Sequence, residues 1–385
     1  MVDENDPAWL RYRDGGSFFL CGPGDPEGFL YRGERQPDGT RDGDQLALIE
    51  KLGPTGANSI YLMAVRSHGG DGGRTENPFR DNDPSRGVEP AVLDQWETWF
   101  DAMEERDILV FFLFYDDGAR VWDTGDEVGS EERSFLETIV DRFEHHPNLI
   151  WVVGEEYNEA YSKRRAEDIA AVIRSADDHD HVIAVHQTPG LTFDFAESPA
   201  VDQFAVQTTM AGGLDTFHAR AVQAVERANG AYNVNIAEVQ PNHGRGPADV
   251  TRRVNWAAAT AGAYVMVLRW DVAGTPVAEL EGCGAMVELM EGMELSGMRS
   301  HDELASGTTR WVLAAPGERY LLYATDATAP MGVRELPGGT YDLTWLDTVT
   351  GRTVERSAVS VAGGSTEWAV PEDLGSEVAL RIVRR

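Results

Sequence analysis

Residues 147–159 read PNLIWVVGEEYNE. An apolar run, LIWVV, leads straight into two adjacent glutamates, and a third glutamate follows three residues later. A continuous apolar run of this length suits a strand covered on both faces, as in a parallel sheet. Such a strand does not normally end in a cluster of like charges. The fold reading depends on whether this run has siblings.

It has seven. GSFFLCG (16–22), ANSIYLMAV (57–65), ILVFFLFY (108–115), HVIAVHQ (181–187), VDQFAVQ (201–207), YNVNIAEVQ (232–240) and AYVMVLRW (263–270) join NLIWVVG (148–154). Between them lie stretches of helical spacing. Val92, Trp96, Trp99 and Met103 recur at intervals of four and three; Phe135, Leu136, Ile139, Val140 and Phe143 form a similar stripe, as do Ala166, Ile169, Ala170 and Ile173. Segments 43–52, 214–228, 247–260 and 276–292 are compatible with helices. Eight strand–helix units in this span predict an α/β fold, a (β/α)8 TIM barrel over residues 1–298. An open doubly wound sheet is the competing architecture, but the first run carries no G-x-G-x-x-G opening a helix. GGDGGRTENP (69–78) reads instead as a flexible loop after the second strand.

After about residue 300 the pattern changes. TRWVLAAPGERYLLYAT, GTYDLTWLDTVTGRTVERSAV and EVALRIVRR are alternating or aromatic stretches joined by Gly, Pro and Asp turns. They predict a C-terminal antiparallel β-sandwich over 299–385, with Trp311 and Trp345 as core residues.

The chain has 385 residues, 65 acidic and 33 basic, for a net charge of −32. That excludes partners needing a basic surface, nucleic acid and anionic membrane among them. Only Lys51 and Lys163 are lysines; the other basic residues are arginine. Acidic surface with scarce lysine is the composition of a protein kept soluble in concentrated salt, where repulsion is screened within about 3 Å at 1 M. The expected source is a salt-loving organism such as a haloarchaeon; a high-GC bacterium is the alternative. Cys21 and Cys283, far apart and without metal spacing, read as free thiols. MVDENDPAWL at the N-terminus has no apolar core of a signal peptide, which reads as cytoplasmic as the sequence stands, with secretion after loss of a leader left open. No run of 18 apolar residues is present.

Catalytic groups in a barrel come from the C-terminal strand ends. Those ends carry Asp25; Arg66 and His68; Asp116 and Asp117; Glu155 and Glu156; His186 and Gln187; Gln207; Glu238; and Trp270 with Asp271. The set is rich in carboxylates and lacks a nucleophile elbow, H-E-x-x-H or P-loop. Two carboxyls on strands four and seven suit glycoside hydrolysis, one protonating the leaving oxygen and the other attacking the anomeric carbon or activating water. Asp116 and Asp117 read as solvated loop residues. His68, His186 and His243 could bind metal together, but lone histidines on separate loops more often serve as hydrogen-bonding groups, so no metal or cofactor is expected.

HHPNLIWVVGEE resembles the strand-four signature of retaining glycoside hydrolases of clan A, which often reads H-P-x-[VIL]-I-x-W-x-x-x-N-E. The resemblance implies Glu156 as acid/base and Glu238, ending strand seven, as nucleophile. GANSIYLMAVR resembles the strand-two region of the clan, with its arginine displaced to Arg66. Trp270 matches the aromatic that floors the sugar subsite. Arg66, Glu155, His186, Gln207 and Trp270 would shape that subsite, and an oligo- or polysaccharide would be the substrate. ERYLLYATD…LPGGTYDLTWLDTVTG resembles the small β domain of apiosidase-like and cellulase-like proteins, sometimes labelled collagen-binding. One departure stands out: Glu155 occupies the place of the clan's sugar-binding Asn. Because successive strand residues point to opposite faces, one of Glu155 and Glu156 is expected to face away. Glu159 reads as a loop or helix-start residue. A non-catalytic carbohydrate-binding barrel and a metal-dependent barrel hydrolase are the competing functions.

Overall fold

The structure, a computed structural model, describes residues 1–23, 28–122, 124–188, 190–240, 247–266 and 272–385, with Gln240 by its backbone alone. Seven parallel strands pair in chain order: Ser59–Val65, Leu109–Tyr115, Leu149–Val152, Val182–Gln187, Gln203–Thr209, Asn233–Gln240 and Tyr264–Val265. These are strands two to eight of a (β/α)8 barrel. The first place is filled by segment 19–22, which bonds both neighbours. Asn58 N–H donates to the Cys21 carbonyl at 3.0 Å, and Val265 N–H donates to the Leu20 carbonyl at 3.2 Å. Gly22 allows this closure, because a Cβ there would lie 2.1 Å from the Ser59 carbonyl oxygen.

Strands two and three are buried along their whole length, as continuous apolar runs require when helices cover the outside. Trp151 packs outward against Phe112 and Phe114. Among the described residues the long helices are Gln45–Leu52, Pro90–Glu104, Ser130–Phe143, Lys163–Ala176, Leu214–Ala228, Ala248–Ala261 and Val277–Glu291. The expectation of eight complete units needs correction at the fifth. The described residues between Gln187 and Gln203 contain no helix. Two prolines and a glycine interrupt that stretch, and Phe193 fills the space by stacking on Phe204 and leaning on Tyr232.

The cysteines are also not free thiols. Cys21 and Cys283 form a disulfide with Cα atoms 5.7 Å apart, joining the first barrel position to helix Val277–Glu291. Their 262-residue separation hid the pair; barrel closure brings the ends together.

Beyond the barrel, a six-stranded antiparallel sheet and a three-stranded one form the β-sandwich. Period-two alternation assigns each side chain of the larger sheet. Val312, Tyr320, Leu322, Leu343 and Trp345 fill the sandwich core, whereas Trp311, Leu313, Leu321, Tyr323 and Leu346 join the barrel's core. Trp256 stacks on Tyr323 and His218 on Trp311. Glu377, 4% exposed, accepts from Arg252, Arg253, Tyr323 and Thr348. The sandwich is thus docked on the barrel by packing and by a fully paired buried carboxylate.

Candidate active site

Strand four ends at Val152, and its continuation leaves extended geometry. Glu155 N–H still donates to the Tyr115 carbonyl at 2.9 Å. Glu156 then adopts a left-handed conformation, φ 38° and ψ 50°, and caps the short helix Tyr157–Ala160. A non-glycine residue held there is strained, which is a feature of functional sites. The turn overrides strand alternation, so both glutamates approach the acidic groups of the barrel mouth, contrary to the expectation that one would face away. Tyr61 Oη donates to Glu155 Oε1 at 3.4 Å. Glu156 accepts from Gln207 Nε2, and Gln207 Oε1 in turn accepts from the Thr188 hydroxyl. Thr188 is placed by Asn158, which accepts from its N–H at 3.1 Å and donates to its carbonyl.

Glu238 lies on strand seven, half-buried, next to a bulge that begins after Ile236. Its Cα is in register with Gln207. Gln207 therefore stands beside Glu238 along the rim while its amide reaches Glu156. Charge coupling among the carboxyls is pronounced. Burial, a hydrogen bond donated to Glu159 and the charge of Glu238 push the Glu156 carboxyl up to about 8. Burial, then the charges of Asp116, Glu238, Asp117 and Glu156, hold Glu155 well above the usual carboxylate range. Glu159 lies exposed in the first turn of the short helix, as a helix-start residue, with a carboxylate oxygen within 4.8 Å of Glu156 and Asp117.

Asp116 and Asp117 depart from the solvated-loop expectation. Asp116 is 2% exposed. Its carboxyl meets Arg66 Nε at 3.3 Å and Asp71 N–H at 3.3 Å. Burial and the bond to Asp117 nevertheless raise it to about 8. Arg66 also pairs with Glu76 at 2.5 Å, so it ties the second loop to strand three. That loop, expected to be flexible, folds tightly over the pair. A Cβ at Gly70 would lie 2.7 Å from the Arg66 carbonyl oxygen and 2.8 Å from Asp116 Cγ.

His186 is 1% exposed. Its Nδ1 accepts from Glu156 N–H at 3.4 Å and lies 3.3 Å from Tyr61 Oη. Burial lowers its pKa to about 3, so the ring is neutral with its proton on Nε2. His68 is turned to Ser67. Among the described residues, neither histidine belongs to a group able to share one ion. The groups that could are Asp116, Asp117 and Glu155, and Asp117, Glu156 and Glu159, each with ligand atoms within 4.8 Å. Gln187 is used structurally, bonded to Thr192 and Asp194. Trp270, Asp25, His243 and Asp271 lie outside the described residues. Tyr61, Thr188 and Asn158 were missed from sequence. Only Tyr61 left a signal, a hydroxyl within the apolar run 60–65. A mostly apolar cavity of about 290 Å³ lies at the other end of the barrel, lined by Leu10, Phe18, Leu149 and Val182, and is separate from these carboxyls.

The profile of the apiosidase-like catalytic domain matches residues 55–266, more than half of the chain. The chain belongs to this family. Apiosidase-like proteins are glycosidase-type catalytic domains, and this chain is a glycoside hydrolase. A search of curated proteins gives no match. Among solved structures, one described as a glycoside hydrolase superposes with a TM-score of 0.73 at 15% identity, covering 100% of this chain and 96% of its own. A glycoside hydrolase family 5 protein from Bacteroides vulgatus gives 0.70 at 16%, covering 100% and 93%. A family 5 mannosidase from Rhizomucor miehei gives 0.55 at 12%, covering 76% and 98%. At these identities the likeness shows the fold. For the first two structures it covers the whole of this apiosidase-like chain, barrel and sandwich together.

Proposed function

We propose that this apiosidase-like chain is a retaining O-glycosidase of an oligo- or polysaccharide, with Glu156 as acid/base and Glu238 as nucleophile. The observation that supports this is the arrangement around Gln207. It bonds Glu156 and stands in register with Glu238, so the two carboxyls share one rim and feel each other's charge. A carboxyl raised to about 8 holds its proton at neutral pH, as a general acid must. Glu238 then attacks the anomeric carbon while Glu156 protonates the leaving oxygen. The glycosyl–enzyme ester is hydrolysed by water that Glu156, now ionised, deprotonates. Neutral His186 and Tyr61 supply uncharged hydrogen-bonding groups beside the sugar. Glu155, protonated, can donate one hydrogen bond where the clan uses an amide.

The test uses aryl glycosides, including apiosides and mannosides, with Glu156→Ala and Glu238→Ala. Loss of Glu238 should abolish turnover on every leaving group. Loss of Glu156 should spare activated leaving groups, and azide should restore each variant with opposite product anomers. Unchanged turnover in Glu238→Ala overturns the assignment. A second reading has one observation behind it, the two carboxylate groups of the mouth that could hold an ion. Exhaustive chelation separates it, since only a metal-dependent hydrolase loses turnover.

A further inference from the structure

We propose that Glu97, His145 and His146 form a divalent-cation site of the zinc class on the outside of the barrel. It lies at the entry to strand four, the end opposite Glu155 and Glu156. Helix Pro90–Glu104 presents Glu97 and, two turns on, Glu104. The chain leaving helix Ser130–Phe143 presents the two histidines. His145 Nε2 lies 2.9 Å and His146 Nε2 3.3 Å from the same oxygen, Glu97 Oε1. The three ligand atoms fall within 4.8 Å of one another. Arg142 Nε takes the other oxygen of Glu97 at 2.8 Å, which leaves Oε1 to the imidazoles.

A second observation points to a ligand. His146 is 1% exposed, and its Nδ1 lies 2.6 Å from Glu104 Oε2. A carboxylate only accepts, so Nδ1 carries a hydrogen, and the ring's other nitrogen, Nε2, is the one aimed at Glu97. That nitrogen makes no hydrogen bond. A buried ring nitrogen without a hydrogen bond thus faces a carboxylate oxygen, an arrangement that a cation between them would satisfy. A carboxylate behind a histidine is also the outer shell that orients a zinc ligand. Two imidazoles and a carboxylate favour zinc over calcium or magnesium, which prefer all-oxygen sites. His145 is 54% exposed, so water can complete a tetrahedron. Asp94, Glu97 and Glu104 against Arg142 leave a local charge of −2, matching a divalent ion. The ion would staple the second helix to the segment that feeds strand four.

The experiment is equilibrium dialysis of the metal-free full chain with Zn²⁺, in molar KCl and excess Mg²⁺ to suppress carboxylate binding, followed by cobalt substitution. One zinc per chain and a tetrahedral visible spectrum with Co²⁺ are expected. His145→Ala and Glu97→Gln should abolish stoichiometric uptake, and Glu104→Gln should weaken it by ~10–100-fold. Asp117→Asn should leave it unchanged. Absence of stoichiometric zinc, an octahedral cobalt spectrum in the unmutated chain, or retention in His145→Ala overturns the site. The cobalt spectrum needs no variant and so does not depend on any substitution folding.

Discussion

The side-chain amide of Gln207 donates to the carboxyl of Glu156, and the Thr188 hydroxyl fixes which way that amide points. A donor on the ionised form favours it. Removing the donor in Gln207→Ala should raise the Glu156 pKa, moving the alkaline limb of kcat/KM to higher pH and lowering kcat. Thr188→Val should move the limb the same way, by less. A limb that stays put in both variants sets Gln207 aside as a positioning residue.

Glu155 stands in a different relation to the acid. Burial and the charges of Asp116, Glu238, Asp117 and Glu156 raise it, so it keeps its proton. In Glu155→Asn the amide that the clan carries would return and a carboxyl would go. KM should change because the sugar contact changes, whereas the alkaline limb should stay in place, since a protonated Glu155 carries no charge to act on Glu156. A limb moved to lower pH would show that Glu155 is ionised in the working enzyme.

Stability should fall with rising pH through the same site. Asp116 and Glu156 hold protons up to about 8 when folded, whereas unfolded carboxyls lose them near 4. Across that window the folded state binds more protons, so unfolding free energy declines as pH rises and levels off above about 8. Asp6, Asp177 and Glu377, lowered by their partners, contribute with the opposite sign and are lost only in acid. Glu156→Gln should flatten part of the decline in Tm between pH 5 and 8; an identical slope in the variant counts against the raised carboxyl.

The disulfide closes the barrel's ends. Cys21→Ser with Cys283→Ser should destabilise by about 2–4 kcal/mol, the usual range for a natural cross-link. Denaturant midpoints with and without reductant measure this. Two reactive thiols in the untreated protein would show that the bond does not form.

The net charge of −32 should make folding salt-dependent. Raising KCl from tens of millimolar to molar should raise Tm steadily as repulsion is screened. Equal Tm at both ends removes the halophilic reading.

Hydrophobic period alone placed the eight barrel runs and the seven long helices, because a strand buried on both faces and an amphipathic helix leave patterns local to ten residues or so. The same locality put Glu156 and Glu238 at strand ends. It could not reveal Asp116 as buried, since what covers it is a glycine-rich loop from another unit. Nor could it see Thr188 and Tyr61 reaching the glutamates, or Cys21 meeting Cys283, since those encounters depend on closure of the whole barrel. The pair quoted at the outset shows the division most plainly. Strand alternation sent Glu155 and Glu156 to opposite faces, but a single left-handed residue at Glu156, held by the helix it caps and by Gln207, turned both carboxyls to the mouth. The order of residues supplied the carboxyls. Long-range contacts decided which of them meet and how their protons are held.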